Sequence, residues 1–225
     1  MRFVYISSYR MTQRYVALTD YALSIECLTF VAILALSRSV PRLRFWLLVF
    51  FSSVAASSLI GGTVHGFFED PSFIGERVLW PMTMIGIGVT ALAGAQIAKG
   101  LLLAEHDSTM ANAIIYGAFC VYCGVVLFVN SSFLIAILGY LPAMLFLAWA
   151  LMKNYRRTGQ SGFLIGFRGL LVILFASVIQ QIRFLDSSRY FNRNVLYHIL
   201  QGLGLCMFFV TARSLQGKGL TKYAN

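Results

Sequence analysis

The chain has 225 residues, of which 59% are hydrophobic and only 12% charged, and its mean hydropathy is +0.76. A soluble domain carries about a quarter charged residues, so this composition excludes an ordinary soluble fold and predicts an all-α integral membrane protein. The formal net charge of +10 sits in small clusters between apolar runs, with no basic stripe interleaved with aromatics, which argues against nucleic acid as a partner.

The opening segment, residues 1–16, holds three arginines and no sustained apolar core. The run 17–37 is too long for a signal-peptide core and lacks a small-residue cleavage pattern, so it predicts the first spanning helix. Six further spans are predicted at 43–68, 78–104, 111–129, 132–152, 163–185 and 194–214. Each can cross a hydrocarbon core of about 30 Å, which needs about 20 helical residues. The second and third runs exceed that length and predict tilt or an extension beyond the bilayer. The short connection near 130–132, "NSS", predicts an antiparallel hairpin of the fourth and fifth helices. Residues 17–215 therefore read as one seven-transmembrane-helix bundle, with 216–225 as a C-terminal tail.

Small residues recur inside the spans, as in "GIGVTALAGAQIAKG" of the third, where they predict close helix contacts. The four cysteines, Cys27, Cys120, Cys123 and Cys206, all fall in apolar runs and read as packing sulfurs. Trp46, Trp80 and Trp149 lie near helix ends and fit an interfacial aromatic belt. Eleven basic residues on the face shared by the C-terminus against seven on the N-terminal face place the N-terminus outside and the C-terminus in the cytoplasm.

The acidic residues carry more information than the basic ones. Asp20, Glu26, Glu69, Asp70, Glu76 and Asp186 belong to the N-terminal face or to helix ends beneath it, and only Glu105 and Asp107 lie opposite. His65 and His198 share that N-terminal face, while His106 sits in the opposite loop. Ionisable groups at membrane depth are costly and therefore face a protein interior or a water-filled cavity. Four candidates follow: Glu26, His65, Glu76 and His198. Asn194 precedes His198 by four residues, so both project from one face of the last helix, with Gln201 one turn further on. Imidazole, carboxylate and amide groups gathered in this way are compatible with a metal shell or with a hydrogen-bonded site. Gln180, Gln181 and Arg183 end the sixth helix on the same face, and Arg183 is placed to pair with Asp186, Glu76 or Glu26.

In "GGTVHGFFEDPSFIGERVLW" (61–80), His65 closes the second helix and Glu76 follows eleven residues later; in "NVLYHILQGLG" (194–204), Asn194, Tyr197 and His198 open the seventh. These segments and the helix count resemble the alkaline ceramidase, adiponectin/progestin receptor and Per1-like superfamily of seven-helix membrane hydrolases. The resemblance implies a zinc ion at His65 and His198, with Glu76 orienting water and Asn194 polarising the substrate or completing the shell. It implies a metal-dependent hydrolase of lipid amides or esters. Two positions depart from the family pattern: Gly61 stands at its serine and Asn194 at its first helix-7 histidine. The alternative is a non-catalytic seven-helix protein that binds a membrane lipid, joins another membrane protein or forms a homo-oligomer.

Overall fold

The computed structural model describes residues 2–36, 41–68, 73–103, 108–182 and 192–217. They form seven helices and, among the described residues, no strand: α1 Arg2–Ala35, α2 Pro41–Phe67, α3 Ile74–Leu102, α4 Ser108–Phe128, α5 Phe133–Thr158, α6 Ser161–Gln181 and α7 Arg193–Gly217. All seven contain a stretch long and apolar enough to cross a membrane, and the first such stretch is Gln13–Ala35. The helix of α1 runs back to Arg2, so most of the expected polar segment 1–16 continues the same helix. Elsewhere the boundaries fall within a few residues of the hydropathy runs.

Local chemistry sets several of these ends. Pro41 opens α2, where its missing N–H is one of the donors a helix start leaves unused anyway. Gly159 ends α5 with φ of 68°, and its N–H bonds to the Tyr155 carbonyl at 2.8 Å. Only glycine enters that left-handed conformation without strain, and the chain turns there directly into α6. Between α4 and α5, Asn130 accepts the Ser132 N–H at 2.7 Å, and the Trp80 indole donates to the Ser131 carbonyl at 2.7 Å. At the other end, Arg44 donates to the Ala35 carbonyl across the α1–α2 connection.

The main packing pairs run α1–α2, α2–α3, α3–α5, α5–α6, α6–α7 and α7–α1, a closed ring of six helices. The seventh, α4, leans on α3 from outside. The expected α4–α5 hairpin is therefore joined by a tight turn yet is not a main packing pair. The Tyr122 ring of α4 is the reason: it occupies the space that side chains at Gly88 of α3 and Gly139 of α5 would need. Its hydroxyl donates to the Met84 carbonyl at 2.8 Å, and an apolar hollow of about 230 Å³ remains between α3, α4 and α5. Lys99 and Gln96 both donate to Asn112 Oδ1 and fasten the far end of α3 to α4.

Glycine permits a close backbone contact between α6 and α7. A side chain at Gly169 of α6 would come 2.6 Å from the Gly204 carbonyl of α7, and one at Gly204 would come equally close to the Gly169 carbonyl. The inner half of the ring is filled by aromatics: Phe30 stacks on Phe209 with centroids 4.2 Å apart, and Phe50, Phe51 and Phe208 pack beside them. These residues close one end of the bundle interior, and a cavity lies beyond them.

Candidate functional site

The cavity has a volume of about 150 Å³, with space for on the order of ten waters. All six ring helices line it and α4 does not. Its lining changes character with depth. Toward the end where α2 and α6 finish and α3, α5 and α7 begin, it meets Asp20, His65, Thr83, Gln180, Asn194, His198 and Gln201. Toward the aromatic packing it meets Phe50, Val54, Ile87, Met144, Ile173 and Leu205, with one hydroxyl among them, Thr90, 2.8 Å from that of Ser53. Along α2 the lining extends from Phe50 to His65, a length of about 22 Å at 1.5 Å per residue.

Three of the four expected site residues meet here. Asn194 and His198 project from α7 at the predicted i,i+4 spacing, and His65 reaches the same cavity from the last turn of α2. His65 is partly exposed and meets the Trp80 ring edge-on, with centroids 5.9 Å apart. Asn194 Oδ1 accepts from Gln180 Nε2 at 3.3 Å, which links α7 to α6. The fourth, Glu76, lies in the first turn of α3 and is not among the lining residues. Trp80, four residues on, does line the cavity, so Glu76 sits one turn, about 6 Å, nearer the helix end.

The carboxylate in the cavity wall is Asp20 of α1. It is 5% exposed, and its Oδ1 lies 3.3 Å from His198 Nε2. On the other side of the imidazole, Nδ1 lies 2.8 Å from Thr19 Oγ1. The same Thr19 hydroxyl lies 2.8 Å from the Val16 carbonyl, to which it can donate. The second oxygen, Asp20 Oδ2, is buried without a hydrogen-bond partner.

Gly61 fits the same arrangement. A side-chain carbon there would lie 3.3 Å from Thr83 Cγ2 and 4.0 Å from Asp20 Oδ1. The place that the resemblance gives to a serine thus faces a threonine from α3 and an aspartate from α1. Glu26 takes a different position: six residues along α1, it lies in the α1–α7 seam, where the Cys206 thiol donates to it at 2.9 Å. All four cysteines are free thiols. Trp80 lines the cavity in addition to standing near a helix end, whereas Trp149 is 54% exposed with Lys153 over its ring.

The zinc ion implied by the resemblance finds two imidazoles at this site. Among the described residues, no group of three or more His, Cys, Asp or Glu side chains is gathered to hold a metal. Both nitrogens of His198 are already engaged by protein groups. Catalytic zinc sites use three protein ligands, so this donor set does not match such a shell as it stands. Arg183, Asp186, Arg189, Glu69, Asp70, Glu105, His106 and Asp107 lie outside the described residues.

The chain is thus a seven-helix bundle with a polar-to-apolar cavity enclosed by six of its helices. It belongs to DUF6962, a family of unknown function whose model matches residues 15–216. No curated protein and no solved structure matches it.

Proposed function

We propose that the protein is a multi-pass integral membrane protein that takes up an amphiphile, such as a membrane lipid, in the cavity of its helix ring. The observation that supports this most strongly is the division of the cavity wall. One end presents Asp20, His65, Asn194, His198 and Gln201, and the other presents Phe50, Val54, Met144, Ile173 and Leu205. Small-molecule sites combine a mostly apolar lining with a few convergent polar groups that fix orientation. Here the polar groups take the head and the apolar end takes the chain. The excess of basic residues on the C-terminal face orients the molecule with its N-terminus outside. The test is to extract and identify lipids from the purified protein, beside a variant with the apolar end blocked by Val54→Trp. A lipid retained by the parent and lost from a folded Val54→Trp variant supports the reading. Equal lipid content in both sinks it.

A second reading, hydrolysis of a lipid amide or ester, is favoured by one observation. An imidazole in contact with a carboxylate, beside a carboxamide in one cavity, is an arrangement for general acid–base work on water. In this reading Asp20, held by His198, takes the proton from water, and Asn194 donates to the developing oxyanion. Release of fatty acid from ester or amide lipids, lost in His198→Gln, is the measurement that would establish it.

A further inference from the structure

Two ionisable side chains lie on the outer surface of the bundle, inside the membrane spans and away from the cavity. Glu26 is half-buried in the α1–α7 seam, where it accepts from the exposed Cys206 thiol at 2.9 Å. It stands nine residues from Ala35 and thirteen from Gln13, about 14 Å and 20 Å from the ends of its span. Its side chain is too short to reach water at either end. Ile25 and Leu28 on α1 and Ile199 and Leu203 on α7 flank it, each more than half exposed to lipid. Arg168 of α6 is exposed on a stripe with Leu171, Phe175 and Val178. It lies seven residues from Ser161, further from a span end than any other lysine or arginine of the seven spans.

Packing puts the two at nearly one depth. Gly169 meets Met207 and Phe208 of α7, so Arg168 stands level with Phe208, while Glu26 stands level with α7 between Gly202 and Cys206. The offset is about one helical turn, or 5 Å, within the reach of an arginine side chain. In one chain α7 stands between them. A second copy, turned about a two-fold axis along the membrane normal and set against the outer face of α7, brings its α6 beside the first copy's α1. Each Glu26 then meets the Arg168 of the other copy, and ionised groups at membrane depth pair in this way. Such an isologous contact is the commonest closed assembly. Both copies cross the bilayer in one direction, so their α7 helices run parallel. Ile199, Leu203, Cys206 and Val210 recur on that face in steps of four and three residues, the spacing by which parallel helices share a seam. Arg213, next on the stripe, stands near the helix end, where a long basic side chain reaches water.

We propose that the protein forms a two-fold dimer through the outer face of α7, held by ion pairs between Glu26 of each copy and Arg168 of the other.

The test uses the full chain in liposomes, labelled in donor and acceptor forms, with association read by Förster transfer and folding by circular dichroism. The parent protein associates. Glu26→Gln or Arg168→Gln removes both pairs by symmetry and weakens association about tenfold or more. Glu26→Arg alone sets two cations together at each pair, and Arg168→Glu alone sets two carboxylates together, so neither variant self-associates. Mixed with each other, these two variants restore both pairs and associate again. If either reversal does not fold, Cys206 decides the matter. With Cys27, Cys120 and Cys123 replaced by alanine, oxidation by copper phenanthroline cross-links the protein to dimers through Cys206, and Arg168→Gln abolishes the product. A monomeric parent, or folded reversals that stay apart when mixed, overturns the proposal. Association or cross-linking indifferent to Glu26→Gln and Arg168→Gln overturns it too, and leaves Glu26 to a helix of another membrane protein.

Discussion

Truncating His198 to alanine tests the Asp20–His198 contact more directly than any other change. The two members of the pair are unequal in what they leave behind. Asp20→Ala leaves His198 with its Thr19 contact at Nδ1 and no partner at Nε2. An unsatisfied neutral group of that kind costs about 1–3 kcal/mol. His198→Ala leaves a carboxyl group whose side chain is 8% exposed, with neither oxygen bonded. Removing one partner of a buried pair costs about 3–5 kcal/mol. The lost Thr19 bond adds little, since side-chain hydrogen bonds between membrane helices contribute about 0.6 kcal/mol on average. The carboxyl group therefore sets the ranking: His198→Ala is the most destabilised, then Asp20→Ala, then Asp20→Asn, in which an amide group keeps a polar partner for Nε2.

The double variant Asp20→Ala/His198→Ala removes the orphaned acid together with its partner. It should be more stable than the sum of the single effects implies, by about 1–3 kcal/mol of coupling. Equilibrium unfolding in mixed micelles, followed by far-ultraviolet circular dichroism, measures all four proteins on one scale. Two results would refute the reasoning: His198→Ala no less stable than Asp20→Ala, or single effects that simply add in the double variant.

Three further expectations concern packing, the missing serine and the metal. Gly169→Ala places a methyl 2.6 Å from the Gly204 carbonyl, a backbone atom that cannot rotate aside, and should cost about 1–3 kcal/mol. Gly117→Ala meets nothing within 4 Å and should be neutral or stabilising in the same thermal unfolding assay; equal behaviour of the two would show that the α6–α7 contact is looser than described. Gly61→Ser needs only a few tenths of an ångström from the Thr83 methyl group, so the variant should fold with its melting temperature nearly unchanged, while Gly61→Phe, directed into the cavity, should lose bound lipid. Metal analysis of protein purified without chelator should find zinc below one per chain, because among the described residues two imidazoles line the site and no group of three ligands is gathered. A stoichiometric zinc lost in both His65→Ala and His198→Ala would move the balance to the hydrolytic reading.

The seven helices were legible in the sequence because hydropathy reports length, and length is what a spanning helix must satisfy. Their arrangement was less so. The fourth run is as apolar as its neighbours, yet only 6% of its apolar window is buried, because α4 stands outside the ring. An apolar residue facing lipid and one facing another helix look alike in sequence, so hydropathy could not place α4. The wedge that holds it there, Tyr122 between Gly88 and Gly139, joins residues from three helices.

The site shows the same division between what spacing encodes and what packing decides. Asn194 and His198 could be paired from their spacing alone, since four residues on one helix fix a common face. His65 followed from its cost at membrane depth. The carboxylate could not be chosen by either rule. Glu76 sits on a helix that lines the cavity, but a shared face is not a shared depth, and one turn of α3 takes it past the rim. Asp20 sits at the right depth on α1, near the start of its apolar run, where an acid reads equally well as an interfacial residue. What marks it is the series of contacts from Val16 through Thr19 and His198, which ties the first helix to the last. The polar end of the cavity is therefore defined less by which ionisable residues the sequence contains than by which of them the packing of distant helices brings to one depth.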